Sequence, residues 1–174
     1  MSPTLLSRAE MEARIARFDD LRPAPGAYLD NGLPGHCRDT LNIIGTAVGR
    51  NDPDAVHPLG SAELTFGMQR AEPGNGPGLH SHEAVEVFVI LAGRWRAYWI
   101  DQDGEGEAEL APFDTISVPA GVWRGLEVIG DQTGVICAAR DRADGGGLTW
   151  HPSVIEAAES AGRVLRDGRV VTVP

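Results

Sequence analysis

Between residues 41 and 140 the chain breaks into short apolar segments, punctuated by Gly, Pro, Asn or Asp, with no helix-length stretch among them. The segments fall at 41–48, 62–70, 85–92, 94–101, 106–111, 114–118, 123–129 and 134–140. Strands at this spacing need to close on one another to cover their edges, so the pattern predicts an all-β sandwich or barrel. Gly93 and the Asp103-Gly104 pair mark tight turns between neighbouring strands. Helices are expected only near the termini. Residues 7–18 start with Ser7 and Glu10 at capping-box spacing and bring Met11, Ile15 and Phe18 to one face, which should pack on something. Residues 153–161 repeat the device with Ser153 and Glu156, and Gly162 falls where a C-terminal cap belongs. The Pro- and Gly-rich stretch 19–40, including Arg22-Pro23-Ala24-Pro25-Gly26, reads as an extended arm, and the tail from Val164 to Pro174 as an edge strand.

With 174 residues, one barrel exhausts the chain. The expected organisation is a helix and arm over 1–40, the barrel over 41–140, and a helix and tail packing on it over 141–174. No apolar stretch approaches the roughly 18 residues of a membrane span. Arg8, Glu10, Glu12, Arg14 and Arg17 interrupt any leader-like core, so a cytoplasmic location is the expectation. The formal charge of −10 argues against nucleic acid as a partner, and no DNA-binding helix pair is recognisable. All 15 basic residues are Arg, which excludes Schiff-base chemistry and a Lys general base. Cys37 and Cys137 form no CxxC and read as free thiols.

The chemistry concentrates in Gly74-Asn75-Gly76-Pro77-Gly78-Leu79-His80-Ser81-His82-Glu83-Ala84-Val85-Glu86, continuing to Gly93. On extended backbone His80, His82 and Glu86 share one parity and project to one face. Two imidazoles and a carboxylate suit non-haem Fe(II) and are compatible with Zn, Mn or Ni.

This segment resembles the first motif of the cupin superfamily, G-x5-H-x-H-x3,4-E-x6-G, matched at Gly74, His80, His82, Glu86 and Gly93. The second motif, G-x5-P-x-G-x2-H-x3-N, keeps only Pro119 and Gly121. Phe113 stands for its Gly, Val128 for its Asn, and Arg124 for the His that would be a fourth metal ligand. The resemblance covers about residues 62–140. It implies a jelly-roll barrel with an interior site holding one divalent metal ion on His80, His82 and Glu86, or the remnant of such a site. A homodimer is expected from the way such barrels commonly pair.

Three roles are open to Arg124. As the catalytic-site residue it would clamp an anionic substrate beside the metal, because a guanidinium offers carboxylates a planar two-pronged donor. It could instead pair with an acid such as Glu127, or directly with Glu86 in a metal-free site. Trp95, Trp99, Trp123 and Phe88 are expected around the cavity as core or as walls for a planar ligand. Glu83 has the opposite parity and should be exposed. His36, His57 and His151 lie in loop-like segments as turn or surface residues, with a fourth ligand or acid–base role as the alternative. The acidic run Asp101 to Glu107 lacks a closing Glu, since Pro112 holds that position, and reads as a hairpin rather than a calcium loop.

The expected function is a metal-dependent small-molecule enzyme. A dioxygenase acting on an anionic or aromatic substrate comes first, because three cis positions would stay open. An isomerase or lyase at the same metal, or a non-catalytic module binding an organic anion through Arg124, are the alternatives.

Overall fold

The computed structural model describes residues 3–24, 26, 28–45, 59–60, 63–141, 147–166 and 169–173. Twelve strands are present among them: β1 (Asp39–Ile44), β2 (Thr65–Ala71), β3 (His80–His82), β4 (Glu86–Ala92), β5 (Arg94–Asp101), β6 (Gly104–Leu110), β7 (Thr115–Val118), β8 (Arg124–Ile129), β9 (Gly134–Arg140), β10 (Leu148–Trp150), β11 (Arg163–Arg166) and β12 (Arg169–Thr172). Two five-stranded sheets, ordered β1-β2-β9-β4-β7 and β10-β3-β8-β5-β6, face one another, and β11 and β12 form a separate hairpin. The all-β jelly-roll expectation is met.

Period-two burial shows why these segments are strands. In β4 the residues Glu86, Phe88 and Ile90 are buried while Val87 and Val89 are half-buried. In β9 the buried set is Gly134, Ile136, Ala138 and Arg140. Phe88, Ile90, Trp95, Leu126, Val128 and Ile136 form the centre of the core between the sheets. Both inward sets end at a charged residue, and antiparallel register puts those two, Glu86 and Arg140, directly opposite each other.

The glycine-rich approach to β3 lies along β8. Val128 accepts from Gly74 at 2.9 Å, and the backbone N–H groups of Val128 and Leu126 donate to Asn75 and Pro77. Any side chain at Gly76 would put its Cβ 2.1 Å from the Leu126 carbonyl oxygen, so only glycine fits there. This alignment carries on into β3 and fixes His80 opposite Arg124.

The ends of the chain depart from expectation. The first helix, α1, spans only Arg8–Glu12, with the Ser7–Glu10 capping box formed. Met11, Ile15 and Phe18 are not buried; they are 52%, 48% and 60% exposed. A helix this short has little stability without a partner for its apolar face. The arm is not merely extended: Phe18–Asp20 and Leu29–Gly32 are 3-10 turns. Ala24, Tyr28, Leu29 and Leu33 pack with Trp150, Val154 and Ala158 in a second core. Its polar anchor is Asp30, fully buried, which accepts from both Arg38 nitrogens at 3.0 Å and from the Gly78 N–H at 2.8 Å.

The second helix, α2, covers Pro152–Ser160, but its cap is His151 rather than Ser153, because Pro152 is pre-set for the first helical position. Gly162 follows it at φ +70°, as a C-terminal cap requires. The tail forms a two-stranded hairpin instead of a single edge strand. No helix among the described residues is long and apolar enough to cross a membrane.

Candidate metal centre

β3 and β4 bring the two imidazoles and the carboxylate together at one end of the barrel interior. His80, His82 and Glu86 are all buried, and their ligand atoms lie within 4.8 Å of one another. Glu86 Oε2 is 3.8 Å from His80 Nε2 and 3.7 Å from His82 Nε2. Two atoms bound to one ion at about 2.1 Å cannot lie more than about 4.2 Å apart, and both separations fall under that ceiling.

The ring nitrogens turned away from the carboxylate are held by main chain. His80 Nδ1 lies 2.7 Å from the Gly78 carbonyl and His82 Nδ1 lies 3.0 Å from that of Gly147. A carbonyl only accepts, so each Nδ1 carries the proton and each Nε2 presents its lone pair to the site. Burial pushes both imidazoles below their usual range, His82 to about 3, so both are neutral at physiological pH. Neutral imidazoles in this tautomer beside an ionised carboxylate fit a divalent ion.

The His82 Nε2 lone pair and the Glu86 carboxylate already have partners. Arg124 Nη2 donates to Glu86 Oε2. Arg140 Nη1 lies 3.3 Å from Glu86 Oε1 and 3.0 Å from His82 Nε2, where it donates. Burial alone would raise the Glu86 carboxyl, but the Arg140 and Arg124 guanidiniums beside it hold it well below the ordinary carboxylate range. Of the three roles open to Arg124, direct pairing with Glu86 is the one observed. Glu127 pairs with Arg96 at 2.6 Å instead.

Arg140 was not among the residues expected at the site. Its signal was its parity with Ile136 and Ala138, which put a charge on the apolar face of a strand; nothing in the sequence alone gave its register against Glu86. Trp150 was also missed, and its ring centroid is 5.6 Å from that of His80.

The remaining candidates fall elsewhere. Trp95 is buried in the core with its Nε1 donating to Ala92, and Trp123 packs edge-on against His151. Only Phe88 and Trp99 of the expected aromatic set line a cavity between the sheets. Glu83 is exposed. His36 binds the Gly76 carbonyl at 2.9 Å, His151 caps α2, and His57 lies outside the described residues. Asp101 to Glu107 form the β5–β6 hairpin. Cys37 and Cys137 are free thiols.

Space at the centre is limited. The cavity bounded by His80, His82, Glu86 and Arg140, with Tyr28 and Arg38, is about 10 Å³, room for about one water. A separate cavity of about 290 Å³ is lined in part by Arg124.

Residues 67–138 match the model of the cupin domain. No curated protein matches the chain. Among solved structures, the polyketide cyclase RemF from Streptomyces resistomycificus superposes with a TM-score of 0.58 at 17% identity, over 78% of this chain and 82% of that one. A conserved double-stranded β-helix protein from Klebsiella pneumoniae gives 0.57 at 16%, over 84% and 98%. A DMSP lyase structure gives 0.52 at 16% over 66% of this chain, which spans only 52% of the length of that one. At these identities the likeness is one of fold.

Proposed function

We propose that this chain, whose residues 67–138 match the cupin domain and which carries a His-His-Glu group that could hold a metal ion, is a metal-dependent enzyme acting on a small organic anion. The observation that carries the reading is the locked tautomer of His80 and His82. Two main-chain carbonyls fix both rings so that their lone pairs meet a buried carboxylate. A core that needed only packing has no use for this arrangement, which spends three buried polar groups on one point.

A bound divalent ion would supply a Lewis acid for a carboxylate or enolate and, as Fe(II), dioxygen chemistry; the finer reading is therefore a dioxygenase. The chain's own residues do the rest. His80 and His82 bind as neutral donors. Arg124 offers its fork to the substrate anion, and Arg140 stays on Glu86 and orients its carboxylate. The walls of Phe88 and Trp99 suit an apolar or aromatic substrate body.

The test is elemental analysis of protein purified without a His tag, with anaerobic titration by Fe(II), Mn(II) and Zn(II) and substrate-dependent oxygen uptake. Stoichiometric binding that is lost in His80→Ala and His82→Ala supports the reading. Oxygen uptake separates a dioxygenase from an isomerase or lyase. The pairing of Arg124 and Arg140 with the triad favours a second reading, a metal-free module that binds organic anions; anion binding without any ion uptake would select it.

A further inference from the structure

Arg124 touches both the Glu86 carboxylate and a second cavity. Its Nη2 holds Glu86. It also lines the cavity of about 290 Å³, together with apolar groups including Phe88, Ala97, Trp99, Val118, Val122 and Leu126. Arg124 is only 3% exposed, and its Nε, like those of Arg38, Arg96 and Arg140, has no acceptor among the described residues. Its other nitrogen, Nη1, has only two long contacts, 3.2 Å to the His80 carbonyl and 3.3 Å to that of Val122. Buried guanidinium N–H groups rarely go without an acceptor, because the desolvation cost is uncompensated.

The charges at this end of the barrel do not balance either. Arg124 and Arg140 bring two positive charges against the single negative charge of Glu86, between two neutral imidazoles. Asp30, the other buried acid nearby, is committed to Arg38. One positive charge is left over in a buried site, next to an apolar cavity.

We propose that this cavity takes the apolar body of a small monocarboxylate whose head group draws the Arg124 fork off Glu86, so that the anion opens the His80, His82 and Glu86 set to a divalent ion. The inference rests on the metal-site reading and adds to it the ligand class and the order of events. A monoanion matches the one unbalanced charge, and a planar carboxylate matches the fork that Nε and Nη2 present. A neutral ligand of the same shape leaves Arg124 on Glu86. Ion and anion therefore bind with positive coupling, and linkage makes the effect reciprocal.

The experiment titrates Mn(II) into the untagged full-length protein, following free Mn(II) by electron paramagnetic resonance, alone and with saturating benzoate, hexanoate or benzamide. Benzoate or hexanoate should tighten Mn(II) by about tenfold or more, within the usual span of coupling between two sites, and benzamide should not. Calorimetry should find the anion tightened by Mn(II) by the same factor. Arg124→Gln should bind Mn(II) tightly without any anion and lose the anion effect. Val122→Phe, which narrows the cavity and keeps Arg124, should weaken the effect too, and it carries the test if Arg124→Gln does not fold.

Mn(II) affinity that is equal with and without carboxylates, or an effect undiminished in Val122→Phe, overturns the coupling and leaves the metal site standing. Failure of both carboxylates to bind also overturns it. If Mn(II) binds neither the parent nor Arg124→Gln under any condition, the metal site itself falls, and the coupling with it.

Discussion

Glu86→Gln keeps the shape of the side chain and removes its charge, which leaves Arg124 and Arg140 facing each other across a buried amide. Glu86 is 2% exposed and has both guanidiniums as partners, so solvent does little to screen the change. Removing one member of a buried ion pair costs about 3–5 kcal/mol, because the remaining charge is stranded. Here two cations are stranded and the amide oxygen can still accept from one of them, so the same range is expected. It is a large share of the roughly 5–15 kcal/mol that holds a domain together. For a chain of this size it corresponds to a fall in melting temperature of about 6–20 °C. Urea unfolding of EDTA-treated protein at pH 7.5, followed by far-UV circular dichroism, measures it. The double variant Glu86→Gln/Arg124→Met should recover part of the loss, since an apolar group replaces one of the stranded charges. A cost under about 1 kcal/mol, or no recovery in the double variant, would refute the view that this cluster is a closely coupled ion network.

Asp30→Asn should cost about 3–5 kcal/mol by stranding buried Arg38, and it should weaken Mn(II) uptake as well, because Asp30 also fixes the Gly78 N–H two residues before His80; denaturation and metal titration check the two effects separately. Phe113 is 82% exposed and held at φ +76°, so Phe113→Gly should raise stability by about 1 kcal/mol, read from the urea midpoint; a loss would mean that its ring has a packing role. In metal-free protein the folded His82 pKa is about 3, while the unfolded chain takes up that proton near 6.5. The unfolded state thus binds more protons below pH 6.5, and stability should fall as pH drops from there, by about 1.4 kcal/mol per unit for this one group. Urea midpoints at pH 7.5 and 5 test it, and His82→Gln should flatten the slope.

The parts of this architecture legible in the sequence are those set by short-range periodicity. Short apolar segments between Gly, Pro, Asn and Asp located the barrel strands, and parity put His80, His82 and Glu86 on one face, where they do meet. The departures from the second cupin motif were legible as departures but not as geometry. Position 113 keeps the left-handed backbone that its usual Gly would supply, although Phe occupies it. Position 124 still points inward, opposite His80. What stayed hidden depends on register between strands far apart in the chain. Arg140 is 54 residues from Glu86, and the pairing of β4 with β9 is what joins them. The arm was hidden for a different reason: its Pro and Gly residues signal irregular backbone, and irregular backbone can still be anchored by one buried acid such as Asp30.

The arginine in the fourth-ligand position changes what the barrel interior can hold. At an effective dielectric of about 20, a guanidinium about 5 Å from a dication is repelled by roughly 6–7 kcal/mol, before relaxation. Arg140 adds a second cation on the same carboxylate, so an ion entering this barrel alone would meet both, with one carboxylate to offset them. A histidine at position 124 would remove one of these charges and add a neutral donor. Keeping the arginine makes sense if a negative charge arrives with the ion, since an anion on Arg124 both screens the repulsion and releases Glu86 to bind. Arg124→His should then tighten Mn(II) binding in the absence of any carboxylate, by more than Arg124→Gln does, because it supplies a ligand as well as removing a charge. Manganese titration of the parent and both variants orders the three affinities. The order His, then Gln, then the parent is required. A parent that binds Mn(II) alone as tightly as Arg124→His would show that the guanidinium does not oppose the ion, and the electrostatic account of position 124 would be wrong.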